Sequence, residues 1–179
     1  MNTKIFKFGS AFIFSCLLLS TAALAQQDKS KRPSPPDSVS GKIGSANVSV
    51  NYSSPSVKGR QIFGGLEPYG KAWRAGANEA TIFTTDKALK VEGKELPAGS
   101  YSVFMVPGEK EWQVIFNKQT GQWGIKRSGE ANYDPAQNAL VINVKPKKSA
   151  QLTERLKYDV NKNGVVMKWE NVEVPIGIR

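Results

Sequence analysis

A chain of 179 residues with 25 Lys and Arg against 15 Asp and Glu, one cysteine and no histidine is sized for one ordinary domain and carries a formal charge of +10. Without imidazole there is no Ser-His-Asp triad, no Cys-His nucleophile and no H-E-x-x-H zinc site, so carboxylate, Lys, Tyr, Ser or Thr chemistry is what remains. The lysines are scattered, with short clusters only at residues 29–32 and 145–148 and no nucleic-acid motif beside them. A solvated surface biased toward anionic envelope polymers is therefore expected, rather than nucleic-acid binding.

In chain order, Lys4 and Lys7, the apolar run 8–19 and the small residues Ala23 and Ala25 form the pattern of a cleavable signal peptide over residues 1–25. The apolar run falls short of the roughly 20 residues that span a bilayer. Export to the periplasm or the extracellular space is expected, with no membrane span after cleavage. Because Cys16 lies inside the removed segment, the working domain has neither thiol nor imidazole and needs a full hydrophobic core in place of disulfides.

Residues 26–38 are polar and carry Pro33, Pro35 and Pro36, which predicts an extended tether ahead of a folded domain at residues 39–179. Val48, Val50 and Tyr52 alternate with Ser49 and Asn51; Tyr101, Val103 and Met105 with Ser102 and Phe104; Trp112, Val114 and Phe116 with Gln113. Such period-two runs read as half-buried strands. Further strands are predicted at 81–85, 89–91, 140–144, 156–160 and 165–174. About eight strands with short turns imply an all-β fold, a single antiparallel β-sandwich or barrel-like domain. Helix is confined to residues 150–157, where Leu152 and Leu156 are spaced i,i+4, and the polar stretch 125–136 is assigned to no element.

Between Ser54 and Glu79 the rhythm stops, and long connections inside a compact domain are often functional. This one holds Arg60, Tyr69, Trp73, Arg74, Asn78 and Glu79, the densest mixture of planar, charged and hydrogen-bonding side chains in the chain and the candidate ligand-binding set. The structural alternative for the same residues is an Arg74–Glu79 ion pair that pins the loop, with Trp73 in the core. Glu67, Glu79, Glu109 and Glu111 are the acids available to a carboxylate hydrolase, which needs a pair some ~5 to 10 Å apart. Each sits in or beside a turn, where solvated acids are common. Asp159-x-Asn161-x-Asn163-Gly164-x5-Glu170 satisfies the EF-hand calcium pattern. Asn161-Lys-Asn-Gly164 is also an ordinary hairpin turn, and the residues after it alternate like a strand, so a hairpin is expected and no metal site.

Several segments together resemble one family: Tyr52-Ser-Ser-Pro-Ser-Val-Lys-Gly-Arg60, Phe63-Gly-Gly, Trp73-Arg-x-Gly-Ala-Asn-Glu-Ala80, Leu96-Pro-Ala-Gly-Ser-Tyr101 and Gln122-Trp-Gly124. They are similar to the domain of unknown function 2911 found in exported bacterial proteins, over nearly all of the chain from about Val39. The resemblance implies a bacterial envelope setting and no particular reaction, cofactor or site. Ser54 stands where a basic residue is expected after Tyr-Ser, which argues against an anion clamp at that position. The leading expectation is an exported, non-catalytic module that binds a small molecule, a glycan or an anionic envelope polymer through residues 60–79 and needs no cofactor. The alternatives are a carboxylate-dependent hydrolase and a structural accessory domain.

Overall fold

The computed structural model describes residues 28–179; the expected signal peptide, residues 1–25, lies outside them. The strands are, in order, β1 (Pro36–Ile43), β2 (Ala46–Ser53), β3 (Thr81–Thr85), β4 (Leu89–Val91), β5 (Lys94–Leu96), β6 (Gly99–Val106), β7 (Trp112–Asn117), β8 (Asn138–Val144), β9 (Lys147–Asn161) and β10 (Gly164–Gly177). A six-stranded antiparallel sheet runs β1-β2-β3-β6-β7-β8, while β9–β10 and β4–β5 form separate hairpins. The chain is thus all-β and sandwich-like, as its periodicity predicts. Helix among the described residues is limited to short 3-10 turns at Lys29–Lys31 and Pro135–Gln137.

The long β9–β10 hairpin supplies the second layer. Val50, Phe83, Val103 and Phe116 on the inner face of the sheet meet Tyr158, Val165, Ile176 and Ile178 across the interior, within one buried cluster that also holds Trp112 and Trp169. Each large apolar side chain so buried stabilises the fold by about 1.5–3 kcal/mol, which is how a domain without disulfides holds together.

Strand β6 is not half-buried. Ser102 and Phe104, on the face expected to meet solvent, are both fully buried. Phe104, Ile115 and Ala80 form a second apolar cluster on the outer face of the sheet. The connection from β7 to β8 folds back over that face, and the Tyr133 ring stacks on Phe104 at 4.6 Å and 28°. The polar stretch 125–136 is therefore a cover anchored by a single aromatic residue.

The helix expected at residues 150–157 is part of β9 instead. An i,i+4 spacing is also a multiple of the strand period, so Leu152 and Leu156 fit either element; pairing with β10 decides it. Two register shifts between Lys168 and Val172 break the alternation along this hairpin, leaving Leu156 buried and Leu152 58% exposed. At its tip Asn161 pairs with Gly164, and Asn161 Oδ1 accepts the Asn163 N–H at 2.8 Å. The acids of the calcium pattern are used elsewhere: Asp159 pairs with Lys168 at 2.9 Å, and Glu170 accepts the Ile62 N–H at 3.2 Å. Strand β1 opens at Pro36, inside the span expected as tether, on the sheet edge where a missing N–H is tolerated.

Candidate functional site

The glycine-rich connection between β2 and β3 is a plug in the mouth of the sandwich. Its first turn is tied to β9: Ser54 Oγ donates to the Leu156 carbonyl at 2.7 Å, and the Leu156 N–H donates to the Pro55 carbonyl at 2.9 Å. With Ser54 buried and engaged in this way, no clamp cation has room at that position. Trp73 extends the sheet by exchanging backbone hydrogen bonds with Met105 at 2.7 and 2.8 Å. Its ring stacks on Trp169 at 5.6 Å, and its Nε1–H donates to the Gly76 carbonyl at 3.0 Å. The Ala75 carbonyl receives two hydroxyls, from Thr81 at 2.9 Å and from Tyr158 at 2.7 Å. A Cβ on Gly76 would lie 2.8 Å from Thr81 Oγ1 and 3.1 Å from the Ser53 carbonyl, so only glycine lets the chain pass so close.

The candidate residues accordingly do not share one cleft. Trp73 is core, 4% exposed. Arg60 turns back on its own loop, donating to the Ser56 and Val57 carbonyls at 2.6 and 3.0 Å. Asn78, in the left-handed region at φ 59°, is a junction: its Nδ2–H donates to the Ser34 carbonyl at 2.9 Å, and its own carbonyl accepts the Gly124 N–H at 2.9 Å. Tyr69 is 45% exposed and faces a different hollow from Glu67.

The expected Arg74–Glu79 pair is not formed. Glu79 pairs with Lys29 at 2.9 Å and with Arg32 at 3.0 Å, both from the segment ahead of β1. Against the cost of partial burial, these bonds hold the Glu79 carboxyl down at about 2. Arg32 also lies 6.0 Å from the centre of the Trp123 ring. Arg74 packs its stem against Gly124, where a Cβ would come within 2.2 Å of Arg74 Cδ and 2.7 Å of its Cβ. Its Nε is buried without a partner among the described residues. Burial pulls the guanidinium below its ordinary value, and Glu67 acts in the opposite direction.

Glu67 lies in a groove of about 640 Å³ on the outer side of the molecule. One wall is Leu66, Glu67, Pro68 and Lys71; the other is Lys126, Glu130 and Tyr133. The second wall is a tight turn closed by the Lys126 N–H on the Glu130 carbonyl at 2.8 Å, and Asn132, through Gly124, ties it to Asn78 near the end of the connection that carries Glu67. Burial pushes the Glu67 carboxyl up to about 7, with Arg74 and Arg60 opposing the rise. No side chain among the described residues pairs with this carboxyl in a salt bridge, and its oxygens stay open to the groove. Near neutral pH it can both donate and accept.

The family model described as "Protein of unknown function (DUF2911)" matches residues 34–178. The chain belongs to this family. No curated protein and no solved structure matches it. In this DUF2911 chain most of the Trp73–Ala80 run is packing: Trp73 fills the core, Gly76 permits a close passage, and Asn78 and Glu79 fasten other segments. Among the described residues no group of three or more His, Cys, Asp or Glu is placed to hold a metal ion. Glu67 stands out in the sequence only as one acid among several beside turns. Lys71, Lys126 and Tyr133 give no signal beyond one aromatic residue in a polar stretch, because the groove forms only when two loops distant in sequence meet.

Proposed function

We propose that this protein is an exported, non-catalytic binding module whose ligand lies in the groove between residues 66–72 and 126–135. The observation that carries the reading is Glu67, a partly buried carboxyl in the groove wall with no hydrogen-bond partner from the described residues. The carboxyl oxygens are not sealed from water, so a ligand hydroxyl or amide that bonds to Glu67 replaces a hydration bond, for a net gain of about 0.5–1.5 kcal/mol, and more where the carboxyl is ionised. The volume of about 640 Å³ falls in the range of small-molecule sites. Lys71 and Lys126 flank the acid with positive charge, while Leu66, Pro68 and Tyr133 offer apolar faces. The ligand class that fits is a small hydroxylated molecule, of one or two sugar rings, bearing an anionic group for the lysines. Arg74 and Gly124 are positioning residues that hold the wall.

The test is a thermal-shift screen of monosaccharides, disaccharides and sugar phosphates, with hits titrated calorimetrically. The reading expects affinity about tenfold weaker in Glu67→Gln or Lys71→Ala. Hits whose affinity is unchanged in both variants would remove it. A hydrolase is the second reading, favoured by one observation: a second acid, Glu130, lines the groove that holds Glu67, whose carboxyl is raised to about 7, and a general acid with a raised pKa is half of a glycosidase pair. Turnover of a hit that is lost in both Glu67→Gln and Glu130→Gln would favour it over binding alone.

A further inference from the structure

The loop that carries Glu67 into one groove presents its other side to a second cleft, of about 380 Å³, where Phe63, Tyr69 and Trp112 meet Lys110, Lys147 and Lys148. Tyr69 is a fixed wall although it is 45% exposed. Its ring lies so close to Gly64 that a Cβ there would be 2.7 Å from Cε2 and 3.1 Å from Cζ. The next residue is held by the Gly70 N–H on the Pro107 carbonyl at 2.8 Å. A large aromatic face left in water yet locked in place costs little further entropy when a ligand settles on it.

The cations around that face are unpaired. No salt bridge among the described residues involves Lys110, Lys147 or Lys148. Lys148 sits opposite Val172 across the β9–β10 pair, and directly opposed residues share a face; since Val172 also lines the cleft, Lys148 projects into it. Lys110 approaches from the β6–β7 turn. Glu109 is the one acid in the lining, so positive charge dominates.

We propose that this cleft binds a linear acidic polysaccharide, with a pyranose ring seated on Tyr69 and the carboxylates of the chain on Lys110 and Lys148. The apolar C–H face of a sugar ring matches the area and flatness of a phenol ring, and its acid groups stand at the ring edge, where the lysines are. An open cleft admits a chain that continues in both directions. The lysines give attraction that salt screens over about 8–10 Å, and Tyr69 gives the preference for a sugar. The site is separate from the Glu67 groove, and its failure leaves that reading untouched.

The experiment is calorimetric titration of the mature protein with an oligogalacturonide of defined length, in low and in physiological salt. Tyr69→Ala and the pair Lys110→Ala, Lys148→Ala should each weaken binding by about tenfold. Tyr69→Phe, and the pair Lys42→Ala, Lys90→Ala as a remote loss of the same charge, should stay within about twofold. Three outcomes overturn the proposal: no binding at low salt, a Tyr69→Ala variant within about twofold of the parent, or equal affinity for a single-stranded oligonucleotide. The last would assign the platform to base stacking. Circular dichroism of each variant confirms that a loss is not unfolding.

Discussion

Replacing Glu67 by glutamine should remove a pH dependence of stability that the parent protein shows between about pH 4.5 and pH 7. In the fold, burial raises this carboxyl from 4.5 to about 7 against the pull of Arg74 and Arg60. A carboxyl whose folded-state pKa is raised contributes stability that is fully present below the unfolded value and is lost as the pH rises through the folded value. At about 1.4 kcal/mol for each pH unit, the interval amounts to about 3 kcal/mol. Glu79, the other strongly perturbed acid, titrates below this window, at about 2, so it does not mask the effect. The assay is urea unfolding of parent and Glu67→Gln at half-unit intervals from pH 4 to pH 8, read as the difference in free energy. The difference should favour the variant increasingly as the pH rises and level off above about pH 8. A difference that stays flat across the window would mean that the carboxyl is solvated, and the groove would lose its distinguishing group.

Gly124→Ala places a methyl 2.2 Å from Arg74 Cδ and 2.7 Å from its Cβ and should destabilise by about 1–3 kcal/mol; in a double-mutant cycle Arg74→Ala, which removes Cδ but keeps the Cβ, should recover part of the loss, and strict additivity would refute the contact. Trp73→Ala removes a core ring stacked on Trp169 and should cost about 3–5 kcal/mol in urea unfolding, whereas Tyr69→Ala should change stability by less than about 1 kcal/mol. Glu79→Gln breaks the bonds to Lys29 and Arg32. These are partly exposed, so the cost in stability should be no more than about 1 kcal/mol, while amide exchange and proteolysis of residues 28–34 should rise clearly. Because the Glu79 carboxyl is held low, the same loosening should appear in the parent only as the pH falls from about 4.5 toward about 2.

The sandwich was legible because its inner face alternates. Val48, Val50 and Tyr52, or Trp112, Val114 and Phe116, announce both strand and buried face. What the alternation could not announce is a second cover: Phe104 alternates as a surface residue and is buried because Tyr133, nearly thirty positions away, lands on it. Residues 150–157 misled for a different reason, since the spacing of Leu152 and Leu156 suits a helix and a strand equally. The loop 54–79 was marked by composition, and it does form the wall of a groove. Composition could not say which way each side chain faces, so Trp73 and Asn78, chosen for their chemistry, serve the packing. The charge partners are the least legible of all. Glu79 and Arg74 are five positions apart, yet Glu79 is bound by Lys29 and Arg32 while Arg74 acts on Glu67, and only the folded path of the chain decides between them.

The central claim, that the Glu67 groove holds the ligand, is tested most directly by following backbone amide shifts of the mature protein while a screening hit is titrated in. The account predicts saturable shifts concentrated at residues 66–72 and 126–135, reduced in Glu67→Gln. Shifts confined to other surfaces, with residues 66–72 unmoved at saturation, would contradict it.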